Sequence, residues 1–211
     1  MAAADAQEIS AVVFDLGGVL LDWDPRYLYR QLIGDPAKLD HFLDRICSRD
    51  WHRAHDLGVD TGQSCRELAS LHPGYAELIM AWSERGEEMI AGVFEDSAAV
   101  LAELKAAGLP CFALSNMEAD RYEQRRARFS FFELFDGCVI SGIEGVMKPD
   151  RKIFDVLLAR YGLEPAGTAF IDDQPANVMA ARELGVVAIE FTSSAQLRLD
   201  LRELGLPVAA P

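Results

Sequence analysis

Residues 12–19 read Val-Val-Phe-Asp-Leu-Gly-Gly-Val. A short apolar run closed by a lone acid and two glycines describes a strand buried on both faces. Its C-terminal end presents a carboxylate, and the glycines allow a sharp turn and a close approach to a ligand. Similar runs recur. Residues 9–16, 109–114, 137–140, 168–171 and 186–191 are short, almost continuously apolar and rich in Val, Ile, Phe and Cys, the pattern of a parallel sheet covered on both sides. Helical spacing fills the gaps. Residues 98–107 stop at Gly108, 150–161 at Gly162, and 175–184 begin with Pro175 and stop at Gly185, matching the preference for proline at helix starts and glycine just past helix ends. Such alternation predicts an α/β fold built on a doubly wound parallel sheet.

One stretch interrupts it. Residues 22–94 contain helical candidates at 27–32, 39–48, 63–71 and 75–90 and no convincing strand. The chain therefore reads as a Rossmann-like core of residues 1–21 and 95–211, carrying a small inserted helical cap of residues 22–94. The cap follows the first strand directly. It is expected to fold over the C-terminal edge of the sheet, where open α/β sheets place their ligands.

The composition sets bounds. The chain has 211 residues, 50% of them apolar, and a formal charge of −14. That field opposes nucleic acid and anionic membrane, so neither is expected as a partner. An anionic substrate needs local neutralisation by a metal, a lysine or backbone N–H groups. Cys47, Cys65, Cys111 and Cys138 form no CxxC pair and no zinc spacing; they read as small buried hydrophobes in a reducing compartment. Residues 1–10 lack the basic and apolar regions of a signal peptide and read as a frayed leader. No apolar run nears the ~18 residues a membrane span needs. A soluble, cytoplasmic protein, monomer or homodimer, is the expectation.

Three later segments supply chemistry to match Asp15. Ser115-Asn116 follows the strand at 109–114 and is expected to open a helix, where the hydroxyl and the amides of Asn116 and Met117 suit phosphate oxygens; an ordinary helix cap is the alternative. Lys148 precedes Pro149 and Asp150 at a helix start, placed to pair with a nucleophile and a phosphoryl group or simply to lie in solvent. Asp172-Asp173 ends an otherwise apolar strand. Adjacent carboxylates repel, and a divalent cation relieves that repulsion. Mg²⁺ suits such all-oxygen ligands.

In this order the segments FDLGGVL, LSN, KPD and IDDQPAN resemble the haloacid dehalogenase superfamily over nearly the whole chain, in particular its branch with a small helical cap, which includes glucose-1-phosphate phosphatases and the N-terminal phosphatase domain of epoxide hydrolases. The resemblance implies a phosphatase. Asp15 attacks phosphorus and becomes an aspartyl-phosphate; Ser115 and the Asn116 amide bind phosphoryl oxygens; Lys148 stabilises charge. Mg²⁺ is held by Asp15, the Gly17 carbonyl and Asp173, with Asp172 bonding directly or through water, and Asn177 orients the acidic loop. The substrate is a small phosphorylated metabolite, a sugar phosphate as first guess.

One position departs from the pattern. The usual phosphatases carry a second aspartate two residues after the nucleophile, as acid and base for the leaving group and water; here that position is Gly17. General acid–base catalysis contributes ~10²–10⁴ in rate. Three explanations compete: another acid (Asp22, Asp24, His52 or His55) substitutes, the leaving group needs little protonation, or the protein is a weak enzyme or phosphate-binding regulator. The 2-haloacid dehalogenases also lack that aspartate and work without metal, which makes a dehalogenase the enzyme alternative. The acid pair Asp172-Asp173 speaks against it, since a metal-free reaction on an anionic haloacid gains nothing from two more negative charges.

Two weaker features complete the reading. Arg121, Arg125, Arg126 and Arg128 are spread around one helix, which predicts a solvated face. Trp23, Trp51 and Trp82 offer surfaces for a sugar ring, but packing inside the cap is the expected use of at least two.

Overall fold

The structure, a computed structural model, describes residues 8–211; residues 1–7 of the expected leader lie outside the described residues. In chain order the strands are β1 (Ala11–Phe14), β2 (Leu21–Trp23), β3 (Ile90–Val93), β4 (Cys111–Ser115), β5 (Gly137–Ile140), β6 (Thr168–Asp172) and β7 (Val187–Glu190). The helices are α1 (Arg26–Leu32), α2 (Pro36–His41), α3 (Arg49–Asp56), α4 (Thr61–Leu71), α5 (Ala76–Glu84), α6 (Glu95–Ala106), α7 (Ala119–Arg128), α8 (Ser141–Glu144), α9 (Arg151–Tyr161), α10 (Pro175–Glu183) and α11 (Ser194–Glu203).

Five strands form one parallel sheet in the order β5-β4-β1-β6-β7. The doubly wound α/β expectation holds. Alternation along β1 explains why its sequence is unbroken in apolar character. Val12 and Phe14 enter a cluster with Val100, Leu101, Leu104, Leu197 and Leu201 of α6 and α11. Ala11 and Val13 enter the opposite cluster with Ile153, Phe154, Leu157 and Val178 of α9 and α10. Phe14 is in register with Ala113 on one side and Ile171 on the other. The residues that follow, at the ends of β1, β4 and β6, therefore emerge side by side. The chain leaves β1 for β4 on one flank and returns to β6 on the other, so this is the switch point of the sheet, where a crevice opens.

The segment between β2 and β3 is helical and has its own apolar cluster, with Leu28, Tyr29, Phe42, Ile46, Cys65, Ile79, Trp82 and Met89 at its centre. Tyr29 is fully buried and donates its hydroxyl to the Leu78 carbonyl at 2.9 Å. Phe42–Ile46 continues α2 as a π-helical segment.

Several details differ from the sequence expectation. The region 22–94 is not free of strands: β2 and β3 pair antiparallel, with a register shift at Asp22/Trp23. They are short and half exposed, and Gly92 dilutes the pattern. The candidate at 75–90 is two helices, α5 and a 3₁₀ turn over Gly86–Met89. Ser115-Asn116 does not open a helix. Ser115 is the last residue of β4 and α7 begins at Ala119. All four cysteines are free thiols, and no helix among the described residues is long and apolar enough to cross a membrane.

Candidate active site

The C-terminal edge of the sheet brings Asp15, Ser115, Lys148, Asp172 and Asp173 together. Asp15 caps β1, its amide donating to the Ile171 carbonyl at 2.8 Å. Its Oδ1 accepts from the Leu16 amide at 2.7 Å and lies 3.0 Å from Lys148 Nζ. Oδ2 has no hydrogen-bond partner among the described residues. The Lys148 ammonium is fully buried. It donates to Asp172 Oδ2 at 2.6 Å and to the Leu114 carbonyl at 2.7 Å, so together with Asp15 it has a partner for each of its three protons. Its peptide is clamped in turn by Asn116, whose side chain accepts from the Lys148 amide at 2.9 Å and donates to the Lys148 carbonyl at 3.0 Å.

Asp172 is completely buried and saturated with donors. Oδ1 accepts from the Gln174 amide at 2.8 Å and Asn177 Nδ2 at 3.0 Å; Oδ2 accepts from Lys148 and, at 3.1 Å, from Asn177. Asn177 thus holds the Asp172 carboxylate through both of its oxygens. Asp173 is half-buried, and its Oδ2 accepts from Gln174 Nε2 at 2.6 Å. Gly18 explains how Asp173 comes so near the nucleophile's loop. It has φ +79°, and a β-carbon there would stand 2.7 Å from the Asp173 carboxyl carbon. Gly17 lines the same cavity, and a β-carbon on it would meet nothing within 4 Å.

The electrostatics follow from burial. Burial foremost, with Asp172 and Asp173 adding, pushes the Asp15 carboxyl up to about 7 against the pull of Lys148. Burial also works to lower Lys148, but Asp15 and Asp172 outweigh it and raise it above its ordinary value. The ammonium is therefore charged. Asp173 is raised, first by burial and then by Asp172. Oxygens of Asp15, Asp172 and Asp173 lie within 4.8 Å of one another. Three carboxylates against one ammonium leave an excess of negative charge, a donor set that fits a hard divalent cation. Since each Asp172 oxygen already accepts two hydrogen bonds, Asp15 and Asp173 are the side chains with room for one.

These residues form one end of a cavity of about 820 Å³ whose far wall comes from the helices between β2 and β3. Trp23 and Trp82 line it, whereas Trp51 packs edge-on against His55 and Trp82 within the apolar cluster. The expected phosphate role of the Met117 amide is not available: it donates to Ser141 Oγ at 3.0 Å. The solvated-face expectation for the arginines is corrected as well. Arg121 and Arg125 line the cavity, Arg121 donating to the Ser83 carbonyl at 2.6 Å and Arg125 to Glu87 at 3.3 Å. Charge on α7 thus ties it to the segment between α5 and β3.

Of the four substitutes for the missing acid, Asp22 accepts from the Tyr27 hydroxyl at 2.7 Å and Asp24 caps the turn into α1 through the Arg26 amide at 2.8 Å. His55 is buried and His52 half-buried, and loss of solvent lowers them to about 4 and about 3. Sequence reasoning missed Asp56, Glu118, Arg49 and Arg53, which also line the cavity. Asp56 did carry a signal: it is an acid at the C-terminus of a helix, where the dipole disfavours negative charge.

Comparison with known proteins places the chain in a family. A family model described as haloacid dehalogenase-like hydrolase matches residues 9–185. Over 204 residues the chain is 28% identical to the sesquiterpene phosphatase astK of Aspergillus oryzae, spanning 92% of this chain and 95% of that protein. It is 26% identical to the phosphoglycolate phosphatase of Synechococcus elongatus, spanning 87% and 84%. Among solved structures, a HAD family enzyme from Bacteroides thetaiotaomicron in complex with magnesium and inorganic phosphate superposes with a TM-score of 0.68 at 18% identity, over 87% of this chain and 94% of that one. That likeness is one of fold.

Proposed function

The chain belongs to the haloacid dehalogenase-like hydrolase family, and from that premise we propose that it is a magnesium-dependent phosphomonoesterase whose nucleophile is Asp15. The observation that carries this reading is the buried Lys148 ammonium held 3.0 Å from Asp15 and 2.6 Å from Asp172. A carboxylate pinned by an ammonium through one oxygen keeps the other free to attack. In this reading Asp15 Oδ2 displaces the leaving oxygen from phosphorus to give an aspartyl-phosphate, which water then hydrolyses. Lys148 stabilises the charge that develops on the transferring group. The Ser115 hydroxyl and the Asn116 amide bind its oxygens, and Asp172 acts through Lys148 by fixing its position.

Asp15, the Gly17 carbonyl and Asp173 would hold Mg²⁺. The bound ion supplies positive charge that keeps Asp15 ionised and offsets the charge of a phosphate dianion. We read residues 22–94 as the cap that closes over the site and excludes water. The substrate class is a small phosphorylated metabolite; its phosphate sits at the acidic end and its organic part lies against Trp23, Leu43, Trp82 and Met89. Sugar phosphates remain the first compounds to test, with apolar alkyl phosphates beside them.

Hydrolysis of p-nitrophenyl phosphate with and without EDTA, using Asp15→Asn as control, tests the reading. Turnover is expected to vanish in both cases. Activity that survives both, or halide release from 2-chloropropionate without metal, overturns it.

A further inference from the structure

Expulsion of an alkoxide from phosphorus is slow unless the leaving oxygen receives a proton as its bond breaks. Neither Asp15, which attacks, nor Lys148, whose three protons are engaged, is free to give one. Resting on the phosphatase reading, we propose that Asp56, on the last turn of α3, is the general acid and base of this site.

The geometry supports it by position and by elimination. Asp56 lines the same cavity as Asp15 and is 7% exposed. Among the described residues the basic side chain within 4 Å of it is the neutral imidazole of His52 on its own helix, with Nε2 at 3.9 Å. The other candidates in the cavity are engaged elsewhere. Asp24 caps α1. Burial raises Glu118 as well, but Arg121, with Nε at 3.4 Å, and Arg125 oppose that rise, so its carboxylate is engaged by cations. The histidines are held neutral and carry no acidic imidazolium near neutral pH. Asp56 is different. Burial first, then the Glu118 charge, raises its carboxyl to about 7, against the opposing pull of Arg125, Arg53 and Lys148. These groups, with His52, come from α3, from α7 and the residue before it, and from the loop that carries Lys148. Asp56 and Lys148 line the same cavity. An acid that titrates near 7 serves both halves of the reaction.

The steps balance. Asp15 Oδ2 forms its bond to phosphorus while the bond from phosphorus to the ester oxygen breaks, and the Asp56 proton passes to that oxygen to release a neutral alcohol. Asp56, now a carboxylate, takes a proton from water as the water oxygen bonds to phosphorus. The bond from phosphorus to Asp15 Oδ2 breaks, and phosphate leaves.

The test is a series of phosphate esters, from 2,4-dinitrophenyl through phenyl to simple alkyl, hydrolysed by the Mg²⁺-supplemented wild type, Asp56→Asn, Asp56→Glu and Glu118→Gln. Thermal melts confirm folding. For Asp56→Asn, kcat/KM on alkyl esters is expected to fall by ~10²–10³, with little change on the dinitrophenyl ester. That ester should give a burst of dinitrophenol, because the aspartyl-phosphate outlives its formation. The alkaline decline of wild-type kcat/KM on alkyl esters should disappear, and Asp56→Glu should restore part of the rate. A uniform loss across the series, no loss at all, or the leaving-group signature in Glu118→Gln instead overturns the assignment while leaving the phosphatase reading in place. Absence of wild-type turnover on every ester overturns both.

Discussion

Lys148 shows how few residues set this site and how tightly their fates are joined. Removing its ammonium leaves Asp15 and Asp172 buried without a counter-charge, and breaking a buried pair in this way costs about 3–5 kcal/mol. Lys148→Met should therefore lower stability by that order in urea denaturation, besides abolishing turnover. Unchanged stability would mean that the two acids are compensated by something else. Gly17 is the complementary case, a position that is empty rather than crowded. A side chain there meets no atom within 4 Å of its β-carbon, so Gly17→Asp is expected to fold normally. If Asp56 already supplies the proton, Gly17→Asp should change wild-type turnover little, but should recover a substantial part of the alkyl-ester activity lost in Asp56→Asn. A large gain in the wild-type background would show that protonation was still limiting.

At the scale of elements, α3 and the turn after β1 decide what the sequence revealed and what it withheld. The turn was legible. Acid, two glycines and a partner acid pair are local signals, and Gly18 must be glycine because its φ is +79° and Asp173 occupies the space of a β-carbon. Gly18→Ala should cost about 1–2 kcal/mol for the left-handed backbone. It should also displace Asp173 and raise the Mg²⁺ concentration needed for half-maximal activity, a shift that a metal titration reads directly. The core strands were legible for the same kind of reason, since burial on both faces leaves unbroken apolar runs. Helix α3 was not. Its sequence, Arg-Asp-Trp-His-Arg-Ala-His-Asp, sets only Trp51 and Ala54 among charged and polar residues. What holds it is packing seen only in three dimensions: Trp23 stacked on His52 at 5.3 Å and Trp51 edge-on to His55 at 4.4 Å. Those imidazoles have a pH consequence. Burial holds them neutral, at about 3 and about 4, whereas in the unfolded chain they titrate near 6.5. The unfolded state thus binds protons that the folded state refuses, so their contribution is present above pH ~6.5 and is lost as pH falls from there. Asp15 and Asp56, raised to about 7, act with the opposite sign: their contribution is present below the unfolded carboxyl value and is lost as pH rises through 7. Replacing both histidines with glutamine should therefore make the melting temperature fall less than that of wild type between pH 6.5 and 4. An equal or steeper fall would contradict neutral burial.

For the whole molecule, the question is how a chain of net charge −14 takes up an anion at all. The answer lies in where its cations are. Of the 20 lysines and arginines, Arg26, Arg49, Arg53, Arg121, Arg125 and Lys148 line one cavity, together with the acids Asp15, Asp24, Asp56, Glu118 and Asp173. Six positive groups against five negative ones leave that cavity near neutral or slightly positive while the rest of the surface is strongly negative. Several of the arginines are already engaged: Arg121 with Glu118, Arg125 with Glu87, and Arg26 with Asp40. Arg49 reaches across to Gln174 Oε1 at 3.4 Å, the side chain that also holds Asp173. Arg53 has no ion pair among the described residues, so it is the cation most able to meet an incoming phosphate. A cavity rich in cations inside a negative envelope gives an association rate that salt weakens, because screening shortens the reach of the attraction to about a Debye length, roughly 8 Å at physiological ionic strength. Thus kcat/KM for a dianionic ester should fall severalfold between 20 and 200 mM NaCl with kcat nearly constant. Arg53→Gln should lower kcat/KM at low salt and flatten its salt dependence. A kcat/KM that rises with salt would mean that repulsion by the envelope dominates the approach, and that the arginines serve only to hold the helices between β2 and β3 against α7.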